Sequence, residues 1–201
     1  MAWIETVSVA AARGKLRELY KRVLRPDGDV DNILKLHSLR PHTLEAHMAI
    51  YKRVLHHSGN TLPKWLLEAI GVYVSLLNGC GYCVEHHAAG LARLLGDPNR
   101  AEAMRKALAE SQLAEAFGPR ERAALDYARA LTLRPAGVSS AQIGALRAAG
   151  FSDGEILEIN QVTAYFAYAN RTVLGLGGST EGDVLGLSPS DSDDPDNWAH
   201  R

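Results

Sequence analysis

The sequence predicts an all-α domain, and three observations carry that prediction. Apolar residues recur at spacings of three and four along most of the chain. Glycine and proline punctuate the chain between these periodic segments. No stretch keeps an apolar–polar alternation bounded by hairpin turns. Val72-Tyr73-Val74 is the most strand-like piece, and its Leu- and Ala-rich neighbours favour helix.

The elements follow in order. Residues 10–24 carry Leu16, Leu19, Tyr20 and Val23 as one apolar stripe. Residues 32–38 form a short helix. Pro41 suits a first turn, and the helix it opens runs over 41–57, with Leu44, Met48, Ile50, Tyr51, Val54 and Leu55 marking its buried side. Residues 63–77 are apolar almost all round, which makes that helix central rather than peripheral. Pro63 begins it and Asn78-Gly79 stops it. The next helix starts near Gly81, runs to Leu95 and ends at Gly96-Asp97-Pro98. Further helices are predicted over 99–110, 119–133, 139–149 and 153–176. Ser139 and Ser152 take the N-cap positions, and Ser152 with Glu155 fits a capping box.

A chain of 201 residues allows one domain or two small ones and can bury a sizeable core. Hydrophobic residues at 46% and charged residues at 22% give the balance of a soluble globular protein. No apolar run reaches the roughly 18 residues that span a membrane. The first residues show no signal-peptide pattern, so a cytoplasmic location is expected. A net charge of -1 gives no nucleic-acid footprint. Residues 1–178 are expected to form one helical domain. Residues 179–201 differ, with six carboxylates against Arg201 alone, and the run Ser-Pro-Ser-Asp-Ser-Asp-Asp-Pro-Asp cannot form a core. This acidic tail is expected to be mobile or packed on a neighbouring subunit, with Trp198 as an anchor. The apolar helices at 63–77 and 153–176 exceed what one compact bundle must bury, which predicts a homo-oligomer.

The only two cysteines are Cys80 and Cys83, too few for a disulfide-dense scaffold or a four-cysteine metal site. Cys80 and Cys83 are three residues apart, and Cys83 and His87 four apart, so all three share one helix face. Cys83 falls in the first turn, where free N–H groups and the helix dipole favour a thiolate. His87 has an unperturbed pKa in the range useful for proton transfer. Glu68 is a lone carboxylate among Leu66, Leu67, Ala69 and Ile70, and burying it unpaired costs several kcal/mol. The turn at Asn78-Gly79 folds the two helices together and offers His87 as its partner. Tyr82, between the cysteines, is placed to donate a hydrogen bond into the same site. His86 points about 100° away from His87 and reads as a surface or interface residue. His37, His42, His47, His56 and His57 lack ligand spacing with carboxylates and read as polar or packing positions.

The pattern Glu-x11-Cys-x-x-Cys-x-x-x-His, here Glu68, Cys80, Cys83 and His87, resembles the signature of alkylhydroperoxidase D-like (AhpD-like) proteins. These belong to the carboxymuconolactone decarboxylase superfamily. The text Asn-Gly-Cys-Gly-Tyr-Cys-Val-Glu-His-His is similar to the branch labelled peroxidase-related, and so is the segment from Asn160 to Arg171. The resemblance covers roughly residues 10–178. It implies an all-helical, oligomeric fold and a thiol peroxidase that needs no metal or organic cofactor. By matched position Cys83 is the peroxidatic cysteine, and Cys80 the resolving cysteine, exposed to the reductant. His87 and Glu68 form the proton relay. The founding enzyme has a histidine where this chain has Tyr82. The implied partners are a hydroperoxide and an external dithiol: a lipoyl protein, a thioredoxin-like protein or a small thiol.

Other readings of the pair remain. A thioredoxin-like motif needs strands around it. A zinc site would use Cys80, Cys83, His87 and Glu68, but crowds three ligands onto a turn and a half of one helix. The pair can also be inert, or serve a non-catalytic redox sensor or disulfide-exchange module.

Overall fold

The computed structural model describes residues 2–200, so readings at Met1 and Arg201 lie outside it. Nine α-helices and no strand occur among the described residues: α1 (Gly14–Val23), α2 (Asn32–Leu36), α3 (Pro41–Leu55), α4 (Lys64–Leu77), α5 (Gly81–Leu95), α6 (Pro98–Ala109), α7 (Pro119–Leu133), α8 (Ser140–Ala148) and α9 (Asp153–Leu176). The all-α expectation holds. Both predicted serine caps form, and each belongs to a full capping box, Ser139 with Gln142 and Ser152 with Glu155.

α4 is the central helix, because it offers no polar stripe to water. Every residue from Leu66 to Ser75 is buried, and α5, α6, α7 and α9 pack around it. α9 docks where α4 has no side chain: a Cβ on Gly71 would lie 2.3 Å from the Phe166 ring. The turn between α4 and α5 needs a left-handed residue, supplied by Gly79 at φ 71°. The Cys80 N–H then donates to Ser75 O at 2.9 Å, which fixes Cys80 as the N-cap of α5. One core expectation is corrected. Ile50 is 46% exposed, and His47 is buried in the core-facing side of α3 instead.

The tail differs more from expectation. Its described residues are laid over their own chain. The cause lies in two cations of the helical body. Arg25 and Lys52 are buried, and a buried cation without acceptors costs several kcal/mol. Arg25 Nη1 donates to Asp183 Oδ1 at 3.1 Å and to Asp31 Oδ1 at 3.0 Å. Lys52 Nζ donates to Ser190 O at 2.6 Å, to His56 O at 2.8 Å and to Ser192 Oγ at 3.1 Å. Trp198 is buried with the Arg22 guanidinium 3.5 Å above its ring.

Candidate active site

The helical hairpin of α4 and α5 brings the four sequence-marked residues together. Glu68, buried on α4, places Oε2 2.7 Å from His87 Nδ1 on α5. Its carboxylate is therefore partnered. An Nδ1–H that donates to this carboxylate leaves Nε2 as the basic nitrogen. Phe166 stands edge-on to the His87 ring at 4.5 Å and fixes its orientation. His87, Glu68 and Cys83 line one cavity, whose walls also include Tyr51 and Tyr165. Burial pushes both phenols well up, so they are neutral groups there.

The cysteines are free thiols, hydrogen-bonded to each other and both buried. The Cys83 thiol lowers the Cys80 pKa to about 7, against the effect of burial and with help from the Cys83 backbone N–H, His87 and the Asn170 amide. The Cys80 partner and burial push Cys83 up, while Asn170 again acts in the lowering direction. The pair thus loses one proton readily and holds the second. The direction of the shifts favours the charge on Cys80 at the N-cap, whereas the helix-turn argument favours Cys83. The hydrogen bond between the sulfurs connects the two sites, since a proton shift along it moves the charge to Cys83.

Three expectations at the site are corrected. Cys80 is 0% exposed, packed beneath Leu36, Tyr82 and Val173, with Ala2 and Leu176 beside them. The reason is that α2 and the end of α9 close over the α5 N-terminus. Tyr82 lines the same cavity as Glu68 and His87 but bonds to neither. Its OH donates to Asp183 Oδ2 at 2.8 Å and accepts from Ile33 N–H at 3.1 Å. Burial and the Asp183 carboxylate push its pKa well up, so it stays a donor. His86 is buried rather than on the surface, with Nε2 3.2 Å from the same Asp183 oxygen and its ring 4.5 Å from Tyr82. Burial pushes the Asp183 carboxyl up, but hydrogen bonds from His86, Asn32 N–H and Tyr82 outweigh it and hold the group ionised. Among the described residues no group of His, Cys, Asp and Glu is placed to hold a metal ion.

Comparison with known proteins fits this geometry. The carboxymuconolactone decarboxylase family matches residues 41–130, the stretch that holds α3 to α5 and the whole tetrad. An uncharacterized peroxidase-related protein with an alkylhydroperoxidase AhpD core, from Ralstonia eutropha JMP134, is 28% identical. The match covers 92% of this chain and 96% of that one, at a TM-score of 0.76. In its fold and its tetrad the chain resembles the AhpD-like proteins of the carboxymuconolactone decarboxylase superfamily. A second uncharacterized peroxidase-related protein, from Silicibacter sp. TM1040, is 29% identical over 82% of this chain and 81% of that one, with a TM-score of 0.69. The debrominase Bmp8, in complex with 2,3,4-tribromopyrrole, shares the fold at 22% identity, 84% coverage of each chain and a TM-score of 0.65. No curated protein matches the chain.

Beyond the tetrad, this AhpD-like site uses residues that the sequence reading did not assign. Asn170 on α9 is fully buried, donates to Ser75 Oγ at 3.0 Å and accepts from Asn78 at 2.9 Å. Its amide also reaches both sulfurs. The polar Asn170-Arg171 pair at the end of an apolar helix was its only signal. Asp183 and His200 come from the tail, and no local pattern marks either.

Proposed function

We propose that this protein is a thiol-dependent peroxidase that reduces hydroperoxides through Cys83 and Cys80, with Glu68 and His87 as its proton relay. One observation carries the reading: the Glu68–His87 hydrogen bond of 2.7 Å shares a cavity with Cys83, whose sulfur is bonded to a second, readily ionised thiol. This is the orienter–base–nucleophile order of activated thiols.

The cycle balances as follows. The Cys83 thiolate attacks the terminal oxygen of ROOH, forming S–O as O–O breaks. The leaving RO⁻ takes a proton relayed by His87 and departs as ROH. Cys80 then attacks the sulfenic sulfur, forming S–S, and the displaced hydroxide leaves as water with the remaining proton. An external dithiol restores both thiols by two exchange steps and is itself oxidised to a disulfide. The net reaction consumes one ROOH and one dithiol and yields ROH, water and one disulfide. Glu68 keeps His87 oriented and basic throughout.

Hydroperoxide consumption with a dithiol donor tests this. Many equivalents per chain are expected from the wild type and none above background from Cys83→Ser. Consumption that stops at one equivalent in the wild type, with every donor tried, removes the catalytic reading and leaves the redox-sensor alternative.

A further inference from the structure

The tail does more than cover the body. Gly186, Leu187, Ser188 and His200 all line the cavity that holds Cys83 and His87. We propose that residues 183–200 form the specificity-determining wall of this site and restrict it to small, uncharged hydroperoxides. The inference rests on the peroxidase reading for its substrate, and on geometry alone for the wall.

The wall is fastened at several points. Asp183 is ion-paired with Arg25, and both side chains are fully buried. Arg93 donates to Gly186 O. Gly186 itself lies flat on α5 at φ 78°, where a Cβ would meet the Ala89 carbonyl carbon at 2.9 Å and Gly90 N at 3.0 Å. Only glycine permits so close an approach. Ser190 is then tied to Lys52.

The space beside Cys83 is small, and through Glu68, Gly90, Gly186 and Ser188 it adjoins a wider cleft. The cavity is about 50 Å³, room for roughly four water molecules. A peroxide of a few heavy atoms fits, and a bulky or long-chain one does not. Charge selects as well. The cavity lining contains two carboxylates, Glu68 and Asp31, and no lysine or arginine. Asp31 is paired with Arg25 and Glu68 with His87, so an anionic hydroperoxide finds no lysine or arginine in the lining to pair with. Two tail-facing groups instead suit a neutral polar molecule. His47 and His200 are buried in the lining, and Nδ1 of each makes no hydrogen bond among the described residues. Burial holds both imidazoles below their ordinary pKa, so each offers a donor or an acceptor rather than a charge.

Two variants test the wall. Gly186→Ala lifts the segment from α5, and Leu187→Ala removes wall atoms without disturbing its fastening. In a Cys80→Ser background, Cys83 is alkylated with iodoacetamide and, separately, with the larger N-phenylmaleimide. The preference for the small reagent is expected to fall by about tenfold or more in both variants, the scale on which a pocket discriminates by size. With Cys80 present, kcat/KM for cumene hydroperoxide is expected to rise relative to hydrogen peroxide by a similar factor. Reagent preference unchanged in Leu187→Ala overturns the wall, whatever Gly186→Ala does to folding. A shifted preference in protein that consumes no peroxide keeps the wall and removes the peroxidase reading. Peroxide turnover with neither ratio shifted does the reverse.

Discussion

The two thiols are hydrogen-bonded to each other and share one apolar cluster, yet only Cys83 also lines the cavity. Leu36, Val173 and Leu176 cover both sulfurs, while Cys83 alone of the two also lines a cavity with a carboxylate, imidazoles and phenols. The difference separates two tasks that a Cys-x-x-Cys pair combines. One sulfur meets the substrate beside the groups that move protons. The other is easily ionised but shielded, and acts through its neighbour. Sequence spacing makes the two nearly equivalent, and the surrounding helices make them unlike.

The largest effect expected on this contrast comes from its polar side. Glu68→Gln leaves His87 without its carboxylate, and kcat/KM for peroxide is expected to fall by about 10²-fold, the lower range for loss of acid–base assistance. In the wild type, thiol alkylation is expected to rise with pH as the coupled pair loses its first proton, below the ordinary thiol range. Glu68→Gln is expected to slow that alkylation at neutral pH, and a rate equal to the wild type's would remove Glu68 from the site.

The dry side is tested next. Leu36→Ala uncovers Cys80 at a cost of about 2–3 kcal/mol in stability, read as a lower urea midpoint. Mass mapping is expected to show Cys80 alkylated faster relative to Cys83 than in the wild type. An unaltered ratio would mean that the Leu36 cover does not set the difference between the sulfurs.

A further effect, set by pH, is spread over the histidines near the cavity. Burial lowers the pKa of His37, His47, His56 and His200, His47 to about 3. Unfolded histidines take up protons below about pH 6.5, whereas these stay neutral until their lowered values are reached. The unfolded state then binds more protons, so stability falls as the pH drops through that window. Each such histidine contributes up to about 1.4 kcal/mol per pH unit there. Urea midpoints from pH 7 to 4 check the slope, which His47→Asn is expected to reduce.

Local signals read well in this chain. The helix order, the serine caps and the Glu68–His87 pairing follow from period, punctuation and one misplaced carboxylate. Each of those is written within a few residues or across one tight turn. What was not legible depends on distant partners. Asp183 joins Arg25 and Tyr82 across more than a hundred positions, and an acidic, proline-containing segment has no period to announce it. The burial of His86 follows from the same carboxylate. Cys80 reads as exposed on a helix start because its cover comes from α2 and the far end of α9. Ile50 and His47 exchange their expected roles because an aromatic cluster of Tyr51, Tyr165 and His37 packs around the imidazole.

The apolar lid over Cys80 has a consequence in time. A disulfide can be cleaved only where a thiolate reaches one of its sulfurs; Cys80 needs a local opening for that, and Cys83 is reached only through the narrow cavity. On the peroxidase reading, oxidation is quick and resetting is slow. A sudden dose of peroxide then leaves a population of locked molecules that outlasts the oxidant, and the protein carries a short memory of the exposure.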